Sequence, residues 1–212
     1  VVIIATLGIR LCWTKVGHVA VLVGAIILMS AALCGCSQSA GPSAKHLPKL
    51  IIDDSVASDF QTLAAETWGK FITVFQARSD CFGDVRLYAT RSLNSRAAYD
   101  PDRATVTVRV PGTAAMLQGA LIHEWAHHLE FQCEAHKKLR PAFLIAQGLP
   151  PDTLWRPDNT PANIPESAWS DMPSEQYAEA TIELVLGRRQ IPTGVSVTKE
   201  AIQVIGTWAA GN

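Results

Sequence analysis

Residues 119–133 carry two histidines four apart, His123 and His127, with Glu124 directly after the first. On a helix each residue advances by about 100°, so with His123 at zero His127 sits at about 40° and Glu124 at about 100°. Leu121, Trp125, Leu129 and Ile122 fall between about 160° and 260°, an apolar face turned away from the histidines. Two imidazoles one turn apart can converge on a single tetrahedral ion with bonds of about 2.0–2.1 Å. Glu124 lies too far round the helix to join the same tetrahedron easily. It is well placed to take a proton from water beside the open coordination position. His123 and His127 are therefore the predicted metal ligands and Glu124 the predicted general base. The plainer reading makes all three ordinary surface residues of a helix.

A third ligand must come from elsewhere in the chain. His128 falls at about 140°, toward the core side, and is expected to pack or to support the site. His136 lies beyond the expected end of the helix. Residues 173–187 are the better source: a helix starting at Pro173 or Ser174 puts Glu175 and Glu179 on one face, with Tyr177, Thr181 and Leu184 on the other side. Such a helix, packed antiparallel to the first, can present a glutamate to the two imidazoles. A solvated acidic face is the alternative.

A His-Glu-x-x-His motif followed by a glutamate on a later helix resembles the gluzincin metallopeptidases, the thermolysin-like clan. Glu175-Gln-Tyr-Ala-Glu-Ala180 is similar to the Glu-x-Phe-Ala-Glu-Ala segment of lethal-factor-type toxin peptidases. The resemblance implies that Glu175 is the third ligand and that Glu179 holds one ligand histidine through its other nitrogen. It further implies Zn2+ as the cofactor and a peptide or protein substrate. It covers residues 104 to 187 and is specific only at the two helices. One departure matters: seven residues before the ligand glutamate the toxin-type enzymes carry a tyrosine that stabilises the transition state, and this chain has Ala168. Tyr177 faces away on the helical wheel, which leaves Tyr99 or His128 as unsupported candidates for that donor.

The elements that must position these residues are legible in outline. Phe60, Leu63, Ala64, Phe71, Ile72 and Phe75 recur at helical spacing over 55–78, with Ser55 or Ser58 as N-cap. Asp84–Thr90 and Ala104–Val110 alternate as strands, separated by a turn at Tyr99–Asp102. Pro111-Gly112 ends the second strand, and Thr113 can cap the motif helix. In zincin peptidases an edge strand along the cleft pairs with the substrate, and Thr105–Arg109 occupies the matching place in sequence; an interior strand is the alternative. Leu139–Met172 is proline-rich and long for a loop, as a lid would be, with a short helix around Phe143, Leu144 and Ile145. Trp155 and Trp169 within it could line a pocket or simply pack. Arg188-Arg189 reads as a charged helix end, and Thr198–Ala209 as a final helix burying Ala201, Ile202, Ile205 and Trp208.

Composition sets the frame. The chain has 212 residues, enough for one real core, and its 48% hydrophobic and 17% charged content excludes disorder. The same composition argues against a nucleic-acid binder with a basic face, and the formal charge of −1 says little about partners. Arg10 and Lys15 precede an apolar run, Val19–Leu33, long enough for export but short for a membrane span. Leu33-Cys34-Gly35-Cys36 resembles a bacterial lipobox, with Cys36 as the lipidated residue; a plain cleaved signal or an uncleaved anchor are the alternatives. Residues 1–36 are thus expected to be an export segment, 37–49 a flexible tether, and 50–212 the folded domain. Cys81 and Cys133 remain for that domain, and in an oxidising compartment an even pair is most simply one disulfide. A zinc role is the rival, although neither cysteine sits in a Cys-x-x-Cys unit.

The expected fold is a small α+β, zincin-like domain: a short antiparallel or mixed sheet packed on helices, with an active-site helix and a second, glutamate-bearing helix. The expected activity is peptide hydrolysis by an exported zinc metallopeptidase, held at the outer face of a bacterial membrane by an N-terminal lipid or anchor, or released. The alternative is an inactive zinc-binding lipoprotein that serves as a binding or structural module.

Overall fold

A computed structural model describes residues 47–157 and 166–212, the side chains of Glu166 and Ser167 excepted. The expected export segment, Cys36 and residues 37–46 of the tether lie outside these residues. The described chain is α+β, with six helices and one four-stranded mixed sheet.

The strands are β1 (Leu50–Ile52), β2 (Val85–Thr90), β3 (Ala97–Asp100) and β4 (Thr105–Arg109), in the spatial order β1-β2-β4-β3. β1 and β4 both run parallel to β2, and β3 runs antiparallel to β4. Val106 and Val108 are fully buried, as the alternation predicts. The strand starts one residue later than its pattern, because Ala104 takes a left-handed φ of 48° in the turn from β3. Two expectations fail here. Residues 97–100 form a strand where only a turn at Tyr99–Asp102 was expected, and β4 is interior, so β3 is the edge.

Helix α1 (Ser58–Val74) and the 3-10 turn Gln76–Arg78 occupy the expected 55–78 segment, but the N-cap is Ala57, whose side chain bonds nothing. Ser55 instead accepts the Ala89 N–H at 3.2 Å, tying the helix entry to β2. The motif helix α2 (Ala114–Gln132) begins as predicted, with Thr113 Oγ1 accepting the Met116 N–H at 3.3 Å. Its apolar face, Leu121, Ile122, Trp125 and Leu129, has no exposure, and burying each such side chain stabilises by about 1.5–3 kcal/mol. Trp125 meets α1 through Trp68 and Phe71, at ring separations of 4.9 and 5.7 Å.

After α2 come α3 (His136–Ala146), α4 (Glu166–Ser170), α5 (Pro173–Leu186) and α6 (Lys199–Ala209). The supposed lid is therefore more structured than expected: α3 opens on the buried His136 and sets Phe143 and Leu144 in the core, with Ile145 exposed. Proline at the start of α5 and Gly187 after it, at φ 76°, are ordinary start and stop devices. Thr198 caps α6 by accepting the Ala201 N–H at 3.1 Å. Cys81 and Cys133 form a disulfide across 52 residues of chain. Closing a loop of that length stabilises by about 4 kcal/mol on the chain-entropy account. The bond pins the end of α2 to the segment leading into β2. No helix of the described residues is long and apolar enough to cross a membrane.

Candidate metal centre

α2 and α5 pack against each other and bring His123, His127 and Glu175 into one cluster, as the sequence predicts. His123 Nε2 lies 3.0 Å from Glu175 Oε2, His127 Nε2 lies 3.4 Å from the same oxygen, and the two nitrogens are 3.2 Å apart. Around an ion with bonds of about 2.0–2.1 Å, any two tetrahedral ligands stand about 3.3–3.4 Å apart. The triangle of donors is close to one face of that tetrahedron.

Both imidazoles are oriented from behind. His123 Nδ1–H donates to Glu179 Oε1 at 3.3 Å, and His127 Nδ1–H donates to Glu130 Oε2 at 2.9 Å. An ionised carboxylate only accepts, so each ring has a proton on Nδ1 and turns Nε2 inward, where it donates to Glu175 when protonated and offers a lone pair when not. Arg156 Nη2 comes within 3.1 Å of His127 Nδ1, but both are donors, and they share Glu130 Oε2, the arginine at 3.4 Å. Two imidazole nitrogens and a carboxylate oxygen thus converge, a donor set that could hold a metal ion.

The carboxylates are fixed in turn. Trp155 Nε1–H donates to Glu130 Oε1 at 2.9 Å, Arg156 Nη1–H to Glu175 Oε1 at 3.3 Å, and the Thr193 hydroxyl to Glu179 Oε2 at 3.1 Å. Arg189 adds an ion pair to Glu179 at 3.6 Å and donates to the Val195 carbonyl at 2.7 Å, which is more than a charged helix end does.

Electrostatics follow from this crowding. Burial would lower His123, but hydrogen bonds to Glu175 and Glu179 and the charge of Glu124 outweigh it and lift its pKa to about 10. Burial likewise opposes a charged His127, and Glu130 and Glu175 raise it all the same. Burial would raise Glu175, yet hydrogen bonds from both imidazoles hold it well below the usual carboxylate range. Glu130 is held at about 2 against its own burial by His127 and Arg156. Glu124 goes the other way. Burial raises it, and the two imidazoles only partly offset this.

Glu124 sits with His123, His127, Glu175 and Glu179 on the wall of a cleft of about 580 Å³. Among the described residues its carboxyl accepts no hydrogen bond, which leaves it available to a ligand. Trp169 lies in this cleft, stacked on His123 at 5.8 Å and 20°, whereas Trp155 is buried in the core. One of the two tryptophans therefore lines the pocket and the other packs.

The cleft also runs along β3. Arg109 N–H donates to the Arg96 carbonyl, which makes that residue pair hydrogen-bonded and, by alternation, pairs Ala98 with Thr107 and Asp100 with Thr105 in the same way. The backbone groups of Ala97 and Tyr99 then face away from β4. His128 has no exposure; its Nε2–H donates to the Gly83 carbonyl at 2.9 Å and its Nδ1 accepts the Tyr99 hydroxyl at 2.9 Å. Tyr177 is buried on the core side, as the wheel predicts.

Sequence reasoning missed Glu130, Arg156, Arg189 and Thr193. Glu130 alone left a signal, standing at i+3 from His127 on the same helix. No protein-family model, no curated protein and no solved structure matches this chain.

Proposed function

We propose that this chain is a gluzincin-type zinc metallopeptidase that hydrolyses peptide bonds with Glu124 as general base. One observation carries the reading: two imidazoles and one carboxylate converge at tetrahedral spacing, each imidazole backed by its own glutamate, with Glu124 beside them in an open cleft. Three protein ligands with no fourth among the described residues favour a catalytic site over a closed structural one. The N,N,O donor set and its spacing suit Zn2+.

Zinc held by His123, His127 and Glu175 supplies Lewis acidity, acidifying water and polarising a carbonyl. Glu124, its affinity for protons raised by burial, takes a proton from the attacking water and returns it to the leaving amine. The outward backbone of Ala97 and Tyr99 on β3, not the interior Thr105–Arg109, offers an extended peptide a strand to pair with. The disulfide supports an oxidising, exported location. Anchoring through Cys36 is the membrane attachment this reading carries.

Glu124→Gln tests the assignment. The variant is expected to retain one zinc per chain by elemental mass spectrometry and to lose peptide turnover by a factor of about 10²–10⁴. Turnover at the wild-type rate would remove Glu124 from the mechanism. Zinc absent from the wild-type chain, or unaffected by Glu175→Ala, would remove the metal centre itself.

A further inference from the structure

Peptide hydrolysis needs a donor for the charge that builds on the carbonyl oxygen, and Tyr99, His128 and Tyr177 are either engaged or buried away from the cleft. Ala168 is exposed and carries no donor. The Tyr99 hydroxyl gives its proton to His128 Nδ1, because Nε2 of that ring must carry the hydrogen bonded to Gly83. Tyr177 and His128 have no exposure at all. Resting on the peptidase reading, the geometry points to Arg156 as the group that receives the developing negative charge of the substrate carbonyl oxygen.

Three arginines line the cleft: Arg96, Arg156 and Arg189. Arg189 is held on Glu179, Thr193 and the Val195 carbonyl, and Arg96 reaches the Pro111 carbonyl at 3.5 Å. Arg156 alone touches a metal-site ligand. Its Nη1 is 3.3 Å from Glu175 Oε1, while the other oxygen of that carboxylate faces both imidazoles. The guanidinium therefore stands one carboxylate away from the centre. Glu175 and Glu130 take one N–H from each terminal nitrogen, and each nitrogen carries a second. The side chain is 32% exposed, so those hydrogens have access to the cleft. Phe131, 5.6 Å from the guanidinium carbon, supports the group from one face.

In the reaction a water oxygen bonds to the carbonyl carbon, the water proton passes to Glu124, and the carbonyl π pair moves onto oxygen. Arg156 donates to that oxygen. When the pair returns, the C–N bond breaks and Glu124 delivers the proton to the departing nitrogen. A guanidinium stays charged throughout the working pH range, so its help requires no proton transfer of its own.

The test compares the full zinc-loaded chain with Arg156→Met and Arg156→Lys, measuring zinc content, kcat and KM on a peptide, and the affinities of a phosphinic peptide and a hydroxamate of the same sequence. The phosphinate mimics the tetrahedral anion; the hydroxamate depends chiefly on the metal. Arg156→Met is expected to keep its zinc, lower kcat by about 10²–10³ with KM nearly unchanged, and lose phosphinate affinity in parallel while hydroxamate affinity holds. Added guanidinium ion is expected to restore part of the turnover. If the wild type cleaves peptide and Arg156→Met binds the phosphinate equally well, Arg156 is not the donor and the peptidase reading stands. Zinc lost from Arg156→Met, with full zinc and turnover in Arg156→Lys, would reduce Arg156 to a counter-charge for Glu175 and overturn the proposal. A zinc-loaded wild type that neither cleaves peptide nor binds either inhibitor overturns the peptidase reading and this one with it.

Discussion

Glu130 accepts the Nδ1–H of His127 at 2.9 Å from the next turn of the same helix, and Trp155 holds its other oxygen at 2.9 Å. A candidate ligand histidine and the residue that aims it are thus built into one rigid element. Glu130→Gln keeps the shape but can turn its amide donor toward the imidazole and favour the wrong tautomer. Zinc affinity is expected to fall about 10- to 100-fold, read by competition with a fluorescent chelator. Unchanged affinity would mean that Glu130 serves Trp155 and Arg156 alone.

The carboxylates around the two imidazoles make metal uptake a proton-release reaction. With His123 raised to about 10 and His127 raised above its ordinary value, His123 holds an extra proton at neutral pH and His127 holds more of one than a free imidazole does, and a metal ion must displace them. Affinity is therefore expected to climb with pH through 7 and 8. Two histidines at the ordinary 6.5 would together release only about half a proton at pH 7. Calorimetry of zinc binding at pH 7 in buffers of different ionisation enthalpy is expected to show release above one proton per site. A value near one half would mean that the carboxylates do not control the imidazoles.

His136 supplies an acid sensitivity independent of the metal. It has no exposure, sits among the rings of Trp155, Tyr177 and Trp208, and is lowered by burial from 6.5 to about 3. Between those two pH values the unfolded chain binds a proton that the folded chain refuses, so stability is complete above 6.5 and is lost as pH falls toward 3. From pH 7 to pH 5 this one residue costs about 2 kcal/mol. Urea unfolding of metal-free wild type and His136→Phe is expected to show the wild type losing about 2 kcal/mol relative to the variant between pH 7 and pH 5, the other titrating groups being common to both. Equal pH dependence of the two would place the sensitivity elsewhere.

The elements legible in the sequence are those with enough length to show a period. α2 and α5 declared their apolar faces over 14 or more residues, and β2 and β4 alternated over five or six. β1 and β3, at three and four residues, are too short for any pattern to stand out, and β3 ends in the run Tyr99-Asp-Pro-Asp102, whose composition signals a turn. Neighbours in a sheet are chosen by pairing across distant parts of the chain, so nothing local in Thr105–Arg109 distinguished an edge strand from an interior one.

For the site, the sequence by itself determined that His123 and His127 share one face of a helix with Glu124 beside them, because helical geometry places residues four apart on one face whatever surrounds them. It also named Glu175 and Glu179 through the resemblance of one short segment, and Cys81 with Cys133 by there being no other partner in the domain. Only the tertiary structure decided that α5 lies against α2 at the right height for Glu175 to meet both imidazoles. It alone brought Arg156 and Trp155 from the connecting segment, and Arg189 and Thr193 from beyond α5, onto Glu130, Glu175 and Glu179. Those contacts join residues that are distant in sequence and carry no periodicity of their own, so they exist only once the helices have packed.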